Sequence, residues 1–126
     1  MNSIITKYID FLNLFGQSTQ ADFTQEIEAL FSTDIKKVVN SNVVCTTREQ
    51  LLEQIKDVKQ AYGIRKNNIL ESFSNAHDNS HVIRWEIMYE DGDVDVVITI
   101  LKNNDQGLIT EVNEVFNQKN SYEWNS

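Results

Sequence analysis

Val82-Ile83-Arg84-Trp85-Glu86-Ile87-Met88-Tyr89, Glu90-Asp91-Gly92-Asp93, and Val94-Asp95-Val96-Val97-Ile98-Thr99-Ile100-Leu101 form the stretch whose reading decides the fold. The outer two segments are rich in β-branched and aromatic residues, and alternate side chains of a strand fall on one face. Asp-Gly between them signals a tight hairpin, because a type I′ turn needs positive φ at both central residues. A two-residue loop at Asp91-Gly92 predicts the pairs Tyr89 with Val94, Ile87 with Val96, Trp85 with Ile98 and Ile83 with Ile100. One face of that hairpin is wholly apolar or aromatic, and its reverse is mixed.

A third strand, Leu108 to Phe116, follows Asn103-Asn104-Asp105-Gln106-Gly107. A slip of one residue would flip every side chain, so the loop length decides the face. A three-residue loop Asp105-Gln106-Gly107, with Gly107 in the left-handed bulge position, fits the glycine and pairs Ile98 with Glu114. Competing loops of two or four residues would turn Ile109, Glu111 and Asn113 inward and bury more charge. The preferred register puts Val112, Phe116 and one carboxylate, Glu114, on the inner face.

Upstream, residues 3–15 place Ile4, Ile5, Tyr8, Ile9, Phe11, Leu12 and Phe15 at helical spacing, with Gly16 as a stop signal. Asp22-Phe23-Thr24-Gln25 reads as a capping box for a short helix bearing Phe23, Ile27, Leu30 and Phe31. Asp34–Val39 and Asn42–Cys45, joined by Asn40-Ser41, read as a small hairpin. Thr46-Thr47-Arg48-Glu49 is a second capping box, for a helix carrying Leu51, Leu52, Ile55, Val58 and Tyr62 and ending at Gly63. A strand near Ile69–Phe73 then leads through a polar loop into the hairpin. The order is helix, helix, hairpin, helix and a four-strand antiparallel meander. A curved sheet covered by helices, an α+β architecture with a concave inner side, satisfies it.

The 126 residues are 40% hydrophobic and 24% charged, which predicts one globular domain over 1–126, with 119–126 as a flexible polar tail. Tyr122 and Trp124 in that tail are candidates for docking on the body or on a partner. A net charge of -8 argues against nucleic acid or an anionic membrane as partner. No apolar run reaches membrane-spanning length and none resembles a signal peptide, so a cytoplasmic location is expected. Cys45 is the single cysteine, and no motif calls for a metal or another cofactor. Asp91, Asp93 and Asp95 lack the spacing of a calcium loop. His77 and His81 read as surface residues.

Lys7-Tyr8-Ile9-Asp10-Phe11-Leu12-Asn13, Ala29-Leu30-Phe31-Ser32-Thr33-Asp34 and Gly107-Leu108-Ile109 sit in an element order that resembles the nuclear transport factor 2-like superfamily. That superfamily includes ketosteroid isomerase, scytalone dehydratase and SnoaL-like polyketide cyclases. The resemblance implies a cone-shaped α+β barrel, a pocket between helices and sheet, and dimerisation through the outer sheet face. It makes Tyr8 similar in setting to the oxyanion-donating tyrosine of ketosteroid isomerases. The position of their general base holds Val39, and the region of their neutral acid holds Val97 to Leu101. No aspartate-histidine pair matches the dehydratase and cyclase branches.

The residues expected around a pocket are Tyr8, Tyr62, Trp85, Ile98, Val112, Glu114 and Phe116, with Tyr8 and Glu114 as the candidate catalytic pair. A hydroxyl aimed into a cavity can stabilise developing negative charge, whereas a packed tyrosine ties its hydroxyl to a neighbour. A carboxylate among apolar neighbours suits acid or base work, whereas one at the rim is simply solvated. Two functions stay open. One is a SnoaL-like pocket protein binding a mainly apolar ligand, with proton-transfer activity of the isomerase, dehydratase or cyclase kind. The other is a noncatalytic binding or dimerisation module whose cavity is filled by Trp85, Phe116 and Tyr62. A homodimer is expected through the outer face, read as Val82, Met88, Val97, Leu101, Ile109 and Val115 interspersed with Arg84, Glu86, Thr99, Glu111 and Asn113.

Overall fold

A computed structural model describes residues 3–20, 22–75 and 77–117; the tail expected over 119–126, with Tyr122 and Trp124, lies outside them. Three helices, α1 (Ile4–Gln17), α2 (Thr24–Leu30) and α3 (Arg48–Tyr62), pack on one six-stranded sheet. Its strands are β1 (Phe31–Val39), β2 (Asn42–Cys45), β3 (Arg65–Asn75), β4 (Ser80–Tyr89), β5 (Val94–Asn103) and β6 (Ile109–Phe116). Their spatial order is β2-β1-β6-β5-β4-β3, antiparallel throughout except where β1 runs parallel to β6. The sheet is curved and unclosed, and with its helices forms the α+β cone.

Local chemistry explains the helix ends. Ser3 caps α1 by accepting from the Thr6 N–H at 3.1 Å. Ile5, Tyr8, Phe11, Leu12 and Phe15 then form its buried stripe. Gly16 is buried inside α1, not beyond its end. A Cβ there would lie 2.7 Å from the Arg65 carbonyl oxygen, so glycine serves close packing of α1 on β3. At α2 the cap is Phe23, and the Asp22 carboxylate accepts from the Thr24 N–H at 2.9 Å in place of a full capping box. Phe31 belongs to β1, not to the helix. The second box falls one residue later than the sequence suggests: Thr47 accepts from Gln50 N–H, and Gln50 Oε1 accepts from Thr46 N–H. Gly63, at φ 64°, ends α3.

The two turns of the C-terminal meander decide the faces. Tyr89 N–H donates to Asp93 O at 2.9 Å and Gly92 N–H donates to Tyr89 O at 3.0 Å. The loop is therefore the three residues Glu90-Asp91-Gly92, a type I turn with Gly92 at φ 92° in the bulge position. Asp91 Oδ1 accepts from Asp93 N–H, supporting that turn. Met88 consequently pairs with Val94 and Trp85 with Val97. The expected Trp85–Ile98 register is corrected by one residue.

The Asp105-Gln106-Gly107 loop does have three residues, closed by Asn104 N–H to Leu108 O and Gly107 N–H to Asn104 O. Just beyond it, however, a bulge between Lys102 and Asn103 shifts the ladder, so Thr99, not Ile98, pairs with Glu114. The two shifts cancel between β4 and β6. Trp85 and Glu114 share the inner face, while β5 is turned over: Asp95, Val97, Thr99 and Leu101 point in, and Val94, Val96, Ile98 and Ile100 point out.

Candidate functional site

Helices α1 and α3 and the inner sheet face enclose a cavity of about 650 Å³. This lies within the range of small-molecule sites. Of the residues expected around it, Tyr8, Tyr62, Trp85, Val112, Glu114 and Phe116 line it. Ile98 does not; it lies on the outer face at 42% exposure because β5 is turned over. Trp85, Phe116 and Tyr62 stand in its walls. Among the described residues no three His, Cys, Asp or Glu side chains are grouped for a metal.

Glu114 anchors a chain of polar contacts running across the inner sheet face. Its Oε2 accepts from Thr99 Oγ1 at 3.0 Å and from Tyr8 Oη at 3.3 Å. The Lys37 ammonium stands 3.8 Å from Oε1 and donates to Gln54 Oε1 at 2.9 Å. Thr99, fully buried, also accepts from the Trp85 indole N–H at 2.9 Å. The carboxylate thus has two hydroxyl donors and a counter-charge, and is not surrounded by apolar groups alone. A buried carboxylate needs such partners.

Tyr8 differs from the expected free donor. Its hydroxyl is committed to Glu114 and its ring packs edge-on against Phe31. Burial raises its pKa well above the usual value, and the Glu114 charge and hydrogen bond add to the shift. The hydroxyl stays protonated and holds Glu114 in place.

At the open end, where Tyr62 is exposed, Tyr89 donates to Asp95 Oδ2 at 2.7 Å, and the two tyrosine rings lie 5.7 Å apart. Burial and the Asp95 bond raise the Tyr89 pKa. Arg65 lines this end too, its guanidinium 5.0 Å from the Phe15 ring centroid.

Lys37, Gln54, Arg65 and Tyr89 are site residues that the sequence did not single out, while Asp95 entered only through the rejected calcium spacing and Thr99 only as an outer-face residue. Lys37 reaches Glu114 because β1 pairs in parallel with β6, setting Lys37 opposite Val112 and Val39 opposite Glu114. Asp95 and Thr99 follow from the reversed face of β5. The other candidates lie elsewhere: His81 bonds Ser74 and Asn103, the Arg84 guanidinium pairs with Glu71 on the outer face at 2.8 Å, and Cys45 is buried.

Known structures share this architecture. A candidate isomerase of the SnoaL-like family from Agrobacterium tumefaciens superposes with a TM-score of 0.73 at 14% identity, over 91% of this chain and 95% of that one. An NTF2-like protein of unknown function from an Exiguobacterium species gives 0.73 at 20% identity, covering 93% and 100%. A candidate polyketide cyclase from Sinorhizobium meliloti gives 0.70 at 15% identity, covering 90% and 94%. No family model and no curated protein matches the sequence. The chain has the NTF2-like fold, and SnoaL-like proteins are among its structural neighbours.

Proposed function

We propose that this protein binds a mainly apolar small molecule in the cone and moves a proton on it through Glu114. The observation that supports this most is an open cavity of about 650 Å³ holding a carboxylate with one oxygen still available. Thr99 and Tyr8 occupy Oε2, whereas Oε1 receives no hydrogen bond from the described residues and faces only the Lys37 charge at 3.8 Å. A ligand C–H or O–H set against Oε1 would meet a base held in fixed orientation. Tyr8 acts here as a positioning residue. Lys37 would balance the charge before the proton moves and Gln54 would hold Lys37.

A thermal-shift screen of apolar carbonyl compounds tests the binding part, since a ligand bound only to the folded state raises its apparent stability. Hits should then lose turnover, but not binding, in Glu114→Gln. Turnover unchanged in that variant would remove Glu114 from the chemistry.

The same proposal includes a homodimer through the outer sheet face. The corrected face carries Val94, Val96, Ile98, Ile100 and Val115, all exposed, in place of Val97, Thr99, Leu101 and Ile109, which are buried. A row of exposed apolar side chains on adjacent paired strands supports an interface.

A further inference from the structure

Arg65 is the cation in this cavity that the proposed chemistry does not use. The other lining cation, Lys37, already has Gln54 and Glu114. Arg65 Nε is buried with no hydrogen-bond partner, and no hydrogen bond or ion pair of its guanidinium to another described residue is found. Buried polar groups are nearly always satisfied, so a buried guanidinium nitrogen left without an acceptor calls for an explanation. Two features keep the group there. Its plane lies near the Phe15 ring, and its backbone is fixed where α1 touches β3 at Gly16.

We infer that Arg65 receives a carboxylate of the ligand, so that the molecule bound is an apolar monocarboxylic acid. The inference rests on the pocket proposed above. A planar guanidinium offers parallel N–H donors that match a carboxylate in two-point fashion, and an ammonium could not do this. The body of the acid would lie along Leu12, Ile55, Trp85 and Val112, which line the same cavity. The charge of the ligand is limited by its surroundings. Glu90, Asp91, Asp93 and Asp95 line the cavity with Arg65, so a doubly charged phosphate would meet far more repulsion than a single carboxylate. Tyr89 offers no competing donor, because its hydroxyl is already given to Asp95.

Calorimetric titration of the full chain with decanoate, decanol and decylamine separates the possibilities. The inference predicts decanoate binding about tenfold tighter than decanol, the advantage of a charge-assisted pair in a partly shielded site. Arg65→Met, which keeps the packing stem, should erase that preference while leaving decanol binding unchanged. Arg65→Lys, which keeps the charge without the fork, should restore only part of it. Equal binding of acid and alcohol by the wild type, tighter binding of the amine, or a preference that survives Arg65→Met overturns the carboxylate inference alone. Failure of all three compounds to bind a folded wild-type protein overturns the pocket reading and this inference together.

Discussion

Replacing Thr99 by valine removes one oxygen from the centre of the molecule and changes its shape very little. That oxygen makes two contacts at once, accepting from Trp85 Nε1 at 2.9 Å and donating to Glu114 Oε2 at 3.0 Å. Thr99 is fully buried and Trp85 is 2% exposed, so water cannot replace the lost acceptor without opening the core. An orphaned buried donor costs roughly 1–3 kcal/mol, and a hydrogen bond to a charged group contributes roughly 1.5–3 kcal/mol. Glu114 keeps Tyr8 and Lys37, which softens the second loss. The expected total is about 3 kcal/mol, or a fall in Tm on the order of 10 °C for a domain of this size. Thr99→Ser keeps both bonds and loses a methyl group, at about 1 kcal/mol. Urea unfolding with a constant m-value compares the two variants. The reasoning is refuted if the valine variant is as stable as the serine variant.

Three further outcomes follow from the structure. Because the folded-state pKa of Tyr8 is raised, its contribution is complete below its unfolded value near 10 and is lost as pH rises toward the folded value. Unfolding free energies measured above about pH 10 should therefore decline more steeply in wild type than in Tyr8→Phe, and parallel slopes would contradict the burial of that hydroxyl. Gly16→Ala should destabilise by roughly 1–3 kcal/mol despite a gain of up to about 1 kcal/mol in helix propensity, since its Cβ meets the Arg65 backbone oxygen; a more stable alanine variant in thermal unfolding would disprove the close contact. For the proposed dimer, sedimentation at high micromolar concentration should give twice 14.6 kDa for wild type and 14.6 kDa for Ile98→Lys, and a wild-type monomer would remove the interface.

The element order was legible in the sequence because apolar periodicity and turn residues are local signals. Helical spacing marks both long helices and the glycine at 63 ends α3, although α1 runs through Gly16 to Gln17 and the α3 cap is Thr47, one residue later than the box suggests. The faces of β5 were not legible, since they depend on whether Asp91-Gly92 fills the centre or the end of a turn and on a bulge near Thr110. Trp85 and Glu114 fall on one face only because those two departures cancel. The parallel pairing of β1 with β6, which brings Lys37 to Glu114, joins residues far apart in the chain and leaves no periodic trace. Arg65 stands at a strand start after a helix-ending glycine, a place where charged residues are usually solvated, so nothing local announces its place in the cavity.

Trp85 lines the cavity and its indole N–H is bonded through Thr99 to Glu114, so that N–H gives the most direct report on whether the cone holds a ligand. Its proton resonance, assigned with Trp85→Phe, should move saturably as an apolar acid such as decanoate is titrated in. The midpoint should match the calorimetric one. A Trp85 resonance that stays fixed while the protein binds decanoate would place the ligand elsewhere and contradict the central claim.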